Sequence, residues 1–491
     1  MTSKKRCTSE CKQLSRKKCP FHEKCMYCNG KTRKYCRLSS KYKYDSECNI
    51  TRRFRKKEEI PRAQISSFMK RTKHNRIAHF LKQVCSDSSE CITFGKEVAK
   101  IKQFFNGFVD FDYMKSNTKS IGKPSDNGFV KEIAYSHRGY NAYAILKSNI
   151  ASVSDNLYYE YLVGQYINKL NHYFPCFLET YGIYKYYNNR IHNHMKNNEV
   201  SAKVLKRNLI KKSSSMDFKT ACRDAKLIAI LIQSIKSKTQ TQSLRDAIHD
   251  TEFRKYSLLY ALLQVYIPLS ILCMDFTHYD LHLDNILVYE PYPGKYVEFH
   301  YTLPSGKIIS FKSKYVCKLI DYGRCFFNDK SSRKGSYKIH REVCATDECE
   351  PNCGEEHGFS NISPEDPPGS FYYISGVKHN ISHDLRAAYE TFKEMKRLKT
   401  PMNLEDIEDK IQYGIGIEKR SEKNYGTIEN LKDEYPTKIN NVRDMAKALM
   451  DSSEDPHEIR SNEQYCSQKL TKLGTMEIDC KMIEKMRFSY V

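Results

Sequence analysis

The sequence predicts an α+β chain of two lobes, β-rich first and helix-rich second, joined near residue 236. Three observations carry that reading. From residue 120 the stretch "SIGKPSDNGFVKEIAYSHRGYNAYAILKS" separates short β-prone runs with Gly, Pro, Ser, Asp and Asn, the pattern of a strand, turn, strand and strand meander. Residues 252–275 have the length and apolar content of one buried helix, and helical patterns dominate after residue 383.

In order along the chain, residues 1–75 form a basic, Cys-rich arm with no sustained apolar period and so no visible core of its own. That arm holds 23 Lys and Arg against 6 Asp and Glu, which places +17 of the formal charge of +24 in about the first sixth of the chain. Residues 76–115 are a lead-in in which "RIAHFLKQV" and "VAKIKQFFNGFV" suggest short helices. The first lobe spans 116–236. After its meander comes the helix of "SVSDNLYYEYLVGQYINKL", with Ser154 or Asp155 as N-cap, and then "FPCFLETYGIYKYY" as a strand pair. Residues 185–220 are rich in Asn, Lys and Ser and are expected to form a surface insertion, after which "KLIAILIQSIKS" gives a buried strand and a polar connection. The second lobe spans 237–491. There the strands "ILVYEP" and "YVCKLIDYG" flank a hairpin-like insertion at 295–313.

A chain of 491 residues exceeds what one core organises, and has ample length for a full-size enzyme. Its start, "MTSKKRCTSECKQ", is charged with no apolar segment behind it, and does not read as a signal peptide. The most apolar region, Leu258 to Phe276, is interrupted by Gln264, Pro268 and Ser270, short of the ~20 apolar residues a bilayer span needs. The expectation is a soluble intracellular protein with no membrane partner. Nineteen cysteines in such a chain read as reduced thiols or metal ligands. Cys19, His22, Cys25 and Cys28, with Cys7, Cys11 and Cys36 nearby, are candidates for a structural Zn2+, since Cys25 and Cys28 have the spacing of a zinc knuckle; Cys344, Cys349, Cys353 and His357 form a second candidate set. Trp is absent while Lys, Asn, Ile and Tyr are abundant, as AT-rich codons would produce.

Chemistry concentrates in "HYDLHLDN", residues 278–285, where two His, two Asp and an Asn fall in eight residues directly behind the buried helix. Phosphoryl transfer from a nucleotide needs a group that orients the attacking hydroxyl, oxygen ligands for Mg2+ and a cation over the phosphates. Asp280 could orient the hydroxyl and accept its proton, and Asn285 could bind the metal through its side-chain oxygen. "LIDYG" offers Asp321 as the second oxygen ligand, with Gly323 letting the backbone turn away.

These residues resemble a known family. The octet is similar to the H-R-D-L-x-x-x-N catalytic loop of protein kinases, and Asp321-Tyr322-Gly323 is similar to their D-F-G. The resemblance implies a bilobal protein-kinase-like fold, with ATP and Mg2+ as cofactors and a protein as substrate. "AYAILKS" is similar to the V-A-I-K strand, which makes Lys147 the partner of the α and β phosphates and Glu160, thirteen residues on, its ion-pair partner. "IGKPSDNGFV" resembles a Gly-rich loop, with Gly122, Gly128 and Val130 in the expected order and the middle glycine missing. "IQSIKS" stands where the adenine-binding hinge would be, and "SHDLRAA" resembles the helix whose Asp384 anchors the catalytic loop. With the basic arm and the AT-rich composition, "HYDLHLDN" and "IDYGR" resemble serine/threonine kinases of large DNA viruses, iridoviruses in particular, which implies host cytoplasm or virion as location.

Departures from the family pattern bear on function. Tyr279 replaces the Arg that commonly receives an activation-loop phosphate. His282 stands where protein kinases carry Lys, and the same His occurs in the loops of aminoglycoside kinases. The long segment from Gly323 to Asp384 shows no A-P-E. The expected function is an ATP-dependent serine/threonine kinase in which Asp280 and His282 act on the transferring group. The alternatives are a pseudokinase scaffold, whose basic arm binds nucleic acid or acidic proteins, and a small-molecule phosphotransferase.

Overall fold

The computed structural model describes strands at 25–29, 34–38 and 64–65, residues 102–124, 128–149, 157–171, 173–212, 227–235, 241–329, 334–336, 379–398, 404, 407, 409–411 and 438–481. Two compact units divide the chain at Met1–Ile60 and Pro61–Val491. Within the first, β1 (Cys25–Asn29) pairs antiparallel with β2 (Lys34–Leu38). Cys7, Cys11, Cys19 and His22 of the first zinc set lie outside the described residues, as do Cys344, Cys349, Cys353 and His357. The six cysteines whose side chains are described, Cys176, Cys273, Cys317, Cys325, Cys466 and Cys480, are buried free thiols.

The second unit is mixed, with an antiparallel sheet first and helices later. In chain order β3 (Gln64–Ile65) precedes that sheet and β10 (Gln242–Ser243) follows it; the sheet is built from β4 (Lys119–Ile121), β5 (Gly128–His137), β6 (Tyr140–Asn149), β7 (Thr180–Tyr186), β8 (Leu209–Lys211) and β9 (Ile228–Gln233), in the order β4-β5-β6-β9-β7-β8. Strand alternation gives β5 and β6 two distinct faces. Phe129, Ile133, Tyr135, Ala144 and Leu146 point into a core shared with Phe104, Phe105, Phe108 and Phe111, while Val130 and Lys147, directly opposite each other, occupy the other face. "FPCFLETYGIYKYY" contributes one strand and not two, because Phe177 bridges instead to Leu319 in the later half of the chain.

The stretch 185–220, expected as a surface insertion, contains helices Asn189–Asn197 and Ala202–Asn208 and the sheet strand β8. Met195, Val200, Leu205 and Leu209 are buried in the same aromatic core. A few apolar anchors among many Asn and Lys are enough to cover one sheet face, since each fully buried aliphatic chain contributes roughly 1.5–3 kcal/mol.

The helix expected over 252–275 is two, Thr251–Tyr256 and Leu258–Leu272, broken at Ser257. The second is buried over nearly its whole length, and among the described residues no helix is long and apolar enough to cross a membrane. Gln264, which interrupts the apolar run, is a buried tie. Its Nε2 donates to Tyr260 O and Tyr315 O, and its Oε1 accepts from Cys317 N at 3.1 Å. Gln264→Leu would leave the buried Cys317 N–H without its acceptor, and is expected to cost ~1–3 kcal/mol, read as a fall in the thermal unfolding midpoint.

Behind that helix come β11 (Phe276–Thr277), β12 (Ile286–Tyr289), the hairpin β13 (Lys295–Thr302) and β14 (Ile308–Ser313), β15 (Val316–Leu319), β16 (Phe326–Asp329) and β17 (Lys334–Gly335). Helices Arg386–Arg397, Val442–Ser453 and Pro456–Lys469 follow. The described chain then closes on β18 (Thr471–Asp479), which pairs parallel with β13 and antiparallel with Gln64–Ile65.

Candidate active site

Local chain geometry brings the octet and the Asp321 loop together. β12 begins directly after Asn285 and pairs antiparallel with β15, Ile286 opposite Leu319. One step further, Ile320 N donates to Asn285 O at 3.1 Å, so Asn285 and Asp321 leave the ladder side by side. Burial lowers the His278 pKa, and its Nε2–H donates to Ile320 O at 3.0 Å, a second tie between the two loops.

The backbone turns at Asp321, with φ +66°, and not at Gly323, whose φ is not positive. A left-handed non-glycine residue costs about 1–3 kcal/mol and persists where its surroundings over-determine it. Here Tyr322 supplies that constraint: its hydroxyl donates to Leu319 O at 2.8 Å and accepts from Leu178 N at 2.9 Å. Tyr279 is the octet's own left-handed residue, φ +61°. Its buried ring lies edge-on to His383 at 5.0 Å.

Asp384 holds the octet's backbone. Its carboxylate accepts from His278 N at 2.7 Å and Tyr279 N at 3.0 Å. Burial pushes its pKa up to about 7, against those two N–H groups, which favour the ionised form. Asp384→Asn would set an amide N–H against one of these donors. The expected result is a loss of roughly 1–3 kcal/mol in chemical denaturation, with faster hydrogen exchange at Tyr279.

Lys147, on the third strand of the six-stranded sheet, lies between two carboxylates. Its Nζ is 2.8 Å from Glu160 Oε2, on helix Leu157–Leu170, and 2.8 Å from Asp321 Oδ1. Burial alone would lower the lysine pKa, but the charges of Glu160 and Asp321 outweigh it and raise it. In turn the Lys147 charge holds Asp321 down at about 2, against burial.

Asp280, only 13% exposed, is approached by Arg386 Nη1 at 3.3 Å and Arg324 Nη1 at 3.6 Å. His282 Nδ1 accepts from Asp284 N at 3.2 Å, capping the short turn Leu283–Asn285, and this puts the ring proton on Nε2, 3.9 Å from Asp280 Oδ1. Asn285 Nδ2 donates to Asp280 O at 2.8 Å, so Oδ1 is the atom a cation would use.

Arg324 and Arg386 stand within IDYGR and SHDLRAA, but nothing in their spacing marks the ion pairs that they and Arg245 form. Arg245 bridges Asp284 and Glu390, and Arg386 bridges Glu390 and Asp280, a chain of ion pairs drawn from three separate elements.

The loop expected to cover phosphates is described only at its ends. Gly122, φ +66°, follows β4, and Gly128 opens β5. A Cβ at Gly128 would fall 2.0 Å from Ser148 O, so packing of β5 onto β6 by itself requires glycine there. Residues 125–127, and the hinge beyond 235, lie outside the described residues.

Among the described residues no group of three or more His, Cys, Asp or Glu could hold a metal by itself. Asp321, ionised at any ordinary pH, and Asn285 are the oxygen donors that fit Mg2+, which takes one or two protein oxygens and completes its shell with phosphate and water.

No protein-family model matches the chain, and no curated protein matches it. Among solved structures, the chain is similar to the crystal structure of a Plasmodium kinase domain, at 17% identity and a TM-score of 0.24, over 46% of this chain and 56% of that one. The chain thus spans little more than half the length of the kinase domain it matches.

Proposed function

We propose that the chain is an ATP-dependent protein kinase that transfers the γ-phosphoryl group to a serine or threonine hydroxyl. The supporting observation is Lys147 Nζ, 2.8 Å from both Glu160 and Asp321, beside an octet that carries Asp280 and Asn285. In this reading Lys147 meets the nucleotide phosphates and Glu160 fixes its direction. Asp280 orients the acceptor hydroxyl and takes its proton, His282 Nε2–H meets charge on the transferring group, and Asn285 and Asp321 hold Mg2+. Held by Asn285 and Asp321, Mg2+ would supply positive charge against the charge that develops on the phosphoryl group. Gly122, Gly128 and Val130 would line the phosphate cover.

A scaffold reading has one observation in its favour: both guanidinium groups on Asp280 occupy the carboxylate a hydroxyl would have to reach. His282 keeps a small-molecule acceptor in view. Incubating the purified chain with labelled ATP, Mg2+ and basic, acidic and small-molecule acceptors separates the three. Label on protein serine or threonine supports the kinase, label on a small molecule the phosphotransferase, and ATP binding without transfer the scaffold.

The charge of residues 1–75 supports a polyanionic partner, nucleic acid or acidic protein, bound by charge number and not by sequence. Retention on heparin is expected to fall steeply with salt for the full chain. Deleting 1–75 should remove that retention and leave ATP binding intact; equal retention without the arm would refute it.

A further inference from the structure

Glu160 sits in the first turn of helix Leu157–Leu170, where a helix is prone to fray, yet its carboxylate must stay on Lys147 for the site described above to exist. Packing fixes the middle of the helix: a Cβ at Gly164 would fall 2.1 Å from Thr180 Oγ1, so helix and β7 touch there. At the first turn the polar anchor is the neighbouring side chain, Tyr159. Its hydroxyl donates to Cys325 O at 2.6 Å and lies 2.7 Å from Ser336 Oγ. Tyrosine has one O–H proton, so with that proton on Cys325 O the serine is the donor.

Ser336, fully buried, also accepts from Phe327 N at 2.7 Å and so ties the end of β17 to β16. Further along the helix, Tyr166 packs on Phe327 at 5.3 Å and Lys169 pairs with Asp329. β16 in turn pairs with β11, Phe276 opposite Phe327, and Asn328 N donates to Asp275 O at 2.9 Å. β11 ends at Thr277, one residue before the octet. The helix that carries Glu160, the strand behind Asp321-Tyr322-Gly323 and the entry to the octet are thus joined through a few hydrogen bonds, with Tyr159 at the helix end.

We infer that Tyr159 is a positioning residue whose hydroxyl, bonded to Cys325 O and Ser336 Oγ, keeps Glu160 on Lys147 and couples that ion pair to the seating of β16. The inference rests on the kinase reading only in giving the Lys147–Glu160 pair its task toward phosphates. A tyrosine that merely filled space would need its ring and not its hydroxyl.

Tyr159→Phe keeps the ring, and Ser336→Ala removes the same bond from the other side should the first variant fold poorly. Hydrogen exchange on the full chain is the first readout. The amides of 157–163 are expected to exchange about tenfold or more faster in either variant, an opening of the helix start rather than of the whole protein, while the β5–β6 ladder keeps its protection. Unchanged exchange at the helix start in both variants would overturn the inference, whatever the chain does to ATP.

The second readout is a double-mutant cycle on the KM for ATP. Tyr159→Phe is expected to raise KM several-fold in the wild-type background and to add nothing to Glu160→Gln, because it acts through Glu160. Effects that multiply in the double variant would reduce Tyr159 to ordinary packing. A wild-type chain that binds no ATP would count against the kinase reading alone, and the exchange result would still decide the role of Tyr159.

Discussion

Asp280→Asn is expected to leave ATP binding nearly intact and to lower kcat by about 10^2 to 10^4, the usual worth of a positioned base. Asparagine has nearly the same shape, and its one side-chain oxygen can accept from Arg386 or from Arg324 but not from both, so the fold around the site should hold while one of the two arginine contacts is lost. What is lost is the ability to take a proton. Asp321→Asn should behave differently. Its carboxylate is the oxygen donor that fits Mg2+, and it is also one of the two anions on Lys147. Binding of ATP with Mg2+ and turnover should therefore fall together. Titration calorimetry with ATP, with and without Mg2+, beside single-turnover transfer measures the contrast. Equal loss of binding in both variants would remove the distinct role given to Asp280. If ATP binds yet neither substitution changes any transfer, the scaffold reading stands.

Asp280 and Asp321 were picked out as candidates in the sequence by the resemblance of their segments to a kinase catalytic loop and its D-F-G. Lys147 and Glu160 rest on the same resemblance, while the strand, turn and strand of β5 and β6 fall where Gly, Asn and Asp punctuate β-prone runs. The ion pairs of Arg245, Arg324, Arg386 and Glu390 were not legible, since, apart from Arg386 and Glu390 four residues apart on one helix, they join separate segments with no interval to betray them. The parallel pairing of β18 with β13 joins segments about 175 residues apart, a contact that no local pattern can encode. Composition misled at 185–220, where Asn and Lys hide the apolar stripe of Met195, Leu205 and Leu209. The left-handed turn was sought at Gly323, the residue that could take it freely, whereas hydrogen bonds to Tyr322 place it at Asp321.

Lys147→Met should produce the other large effect, in stability as well as activity. The substitution keeps most of the apolar stem and removes the lysine charge that lies between Glu160, which is buried, and Asp321. Breaking a fully buried pair costs ~3–5 kcal/mol; here the Lys147 side chain is 30% exposed and that of Asp321 43%, so screening brings the expected cost to roughly 1–3 kcal/mol. Transfer should fall by about 10^2 to 10^3, the worth of one charge-stabilising donor. The pH dependence gives an independent check with a defined sign. Asp321 has its pKa held at about 2, below its ordinary value of 3.8, with the Lys147 charge as the main cause. Its contribution to stability is therefore full above pH 3.8 and is lost as the pH falls through about 2. Without Lys147 that depression disappears, and two neighbouring carboxylates favour protonation of one of them. The acid limb of a denaturation-against-pH curve should then move to higher pH in Lys147→Met, while Lys147→Arg, which keeps the charge, should stay closer to the wild-type curve. An acid limb that does not move would mean that Lys147 and Asp321 are not paired in solution, and the site would lose the contact on which its reading rests.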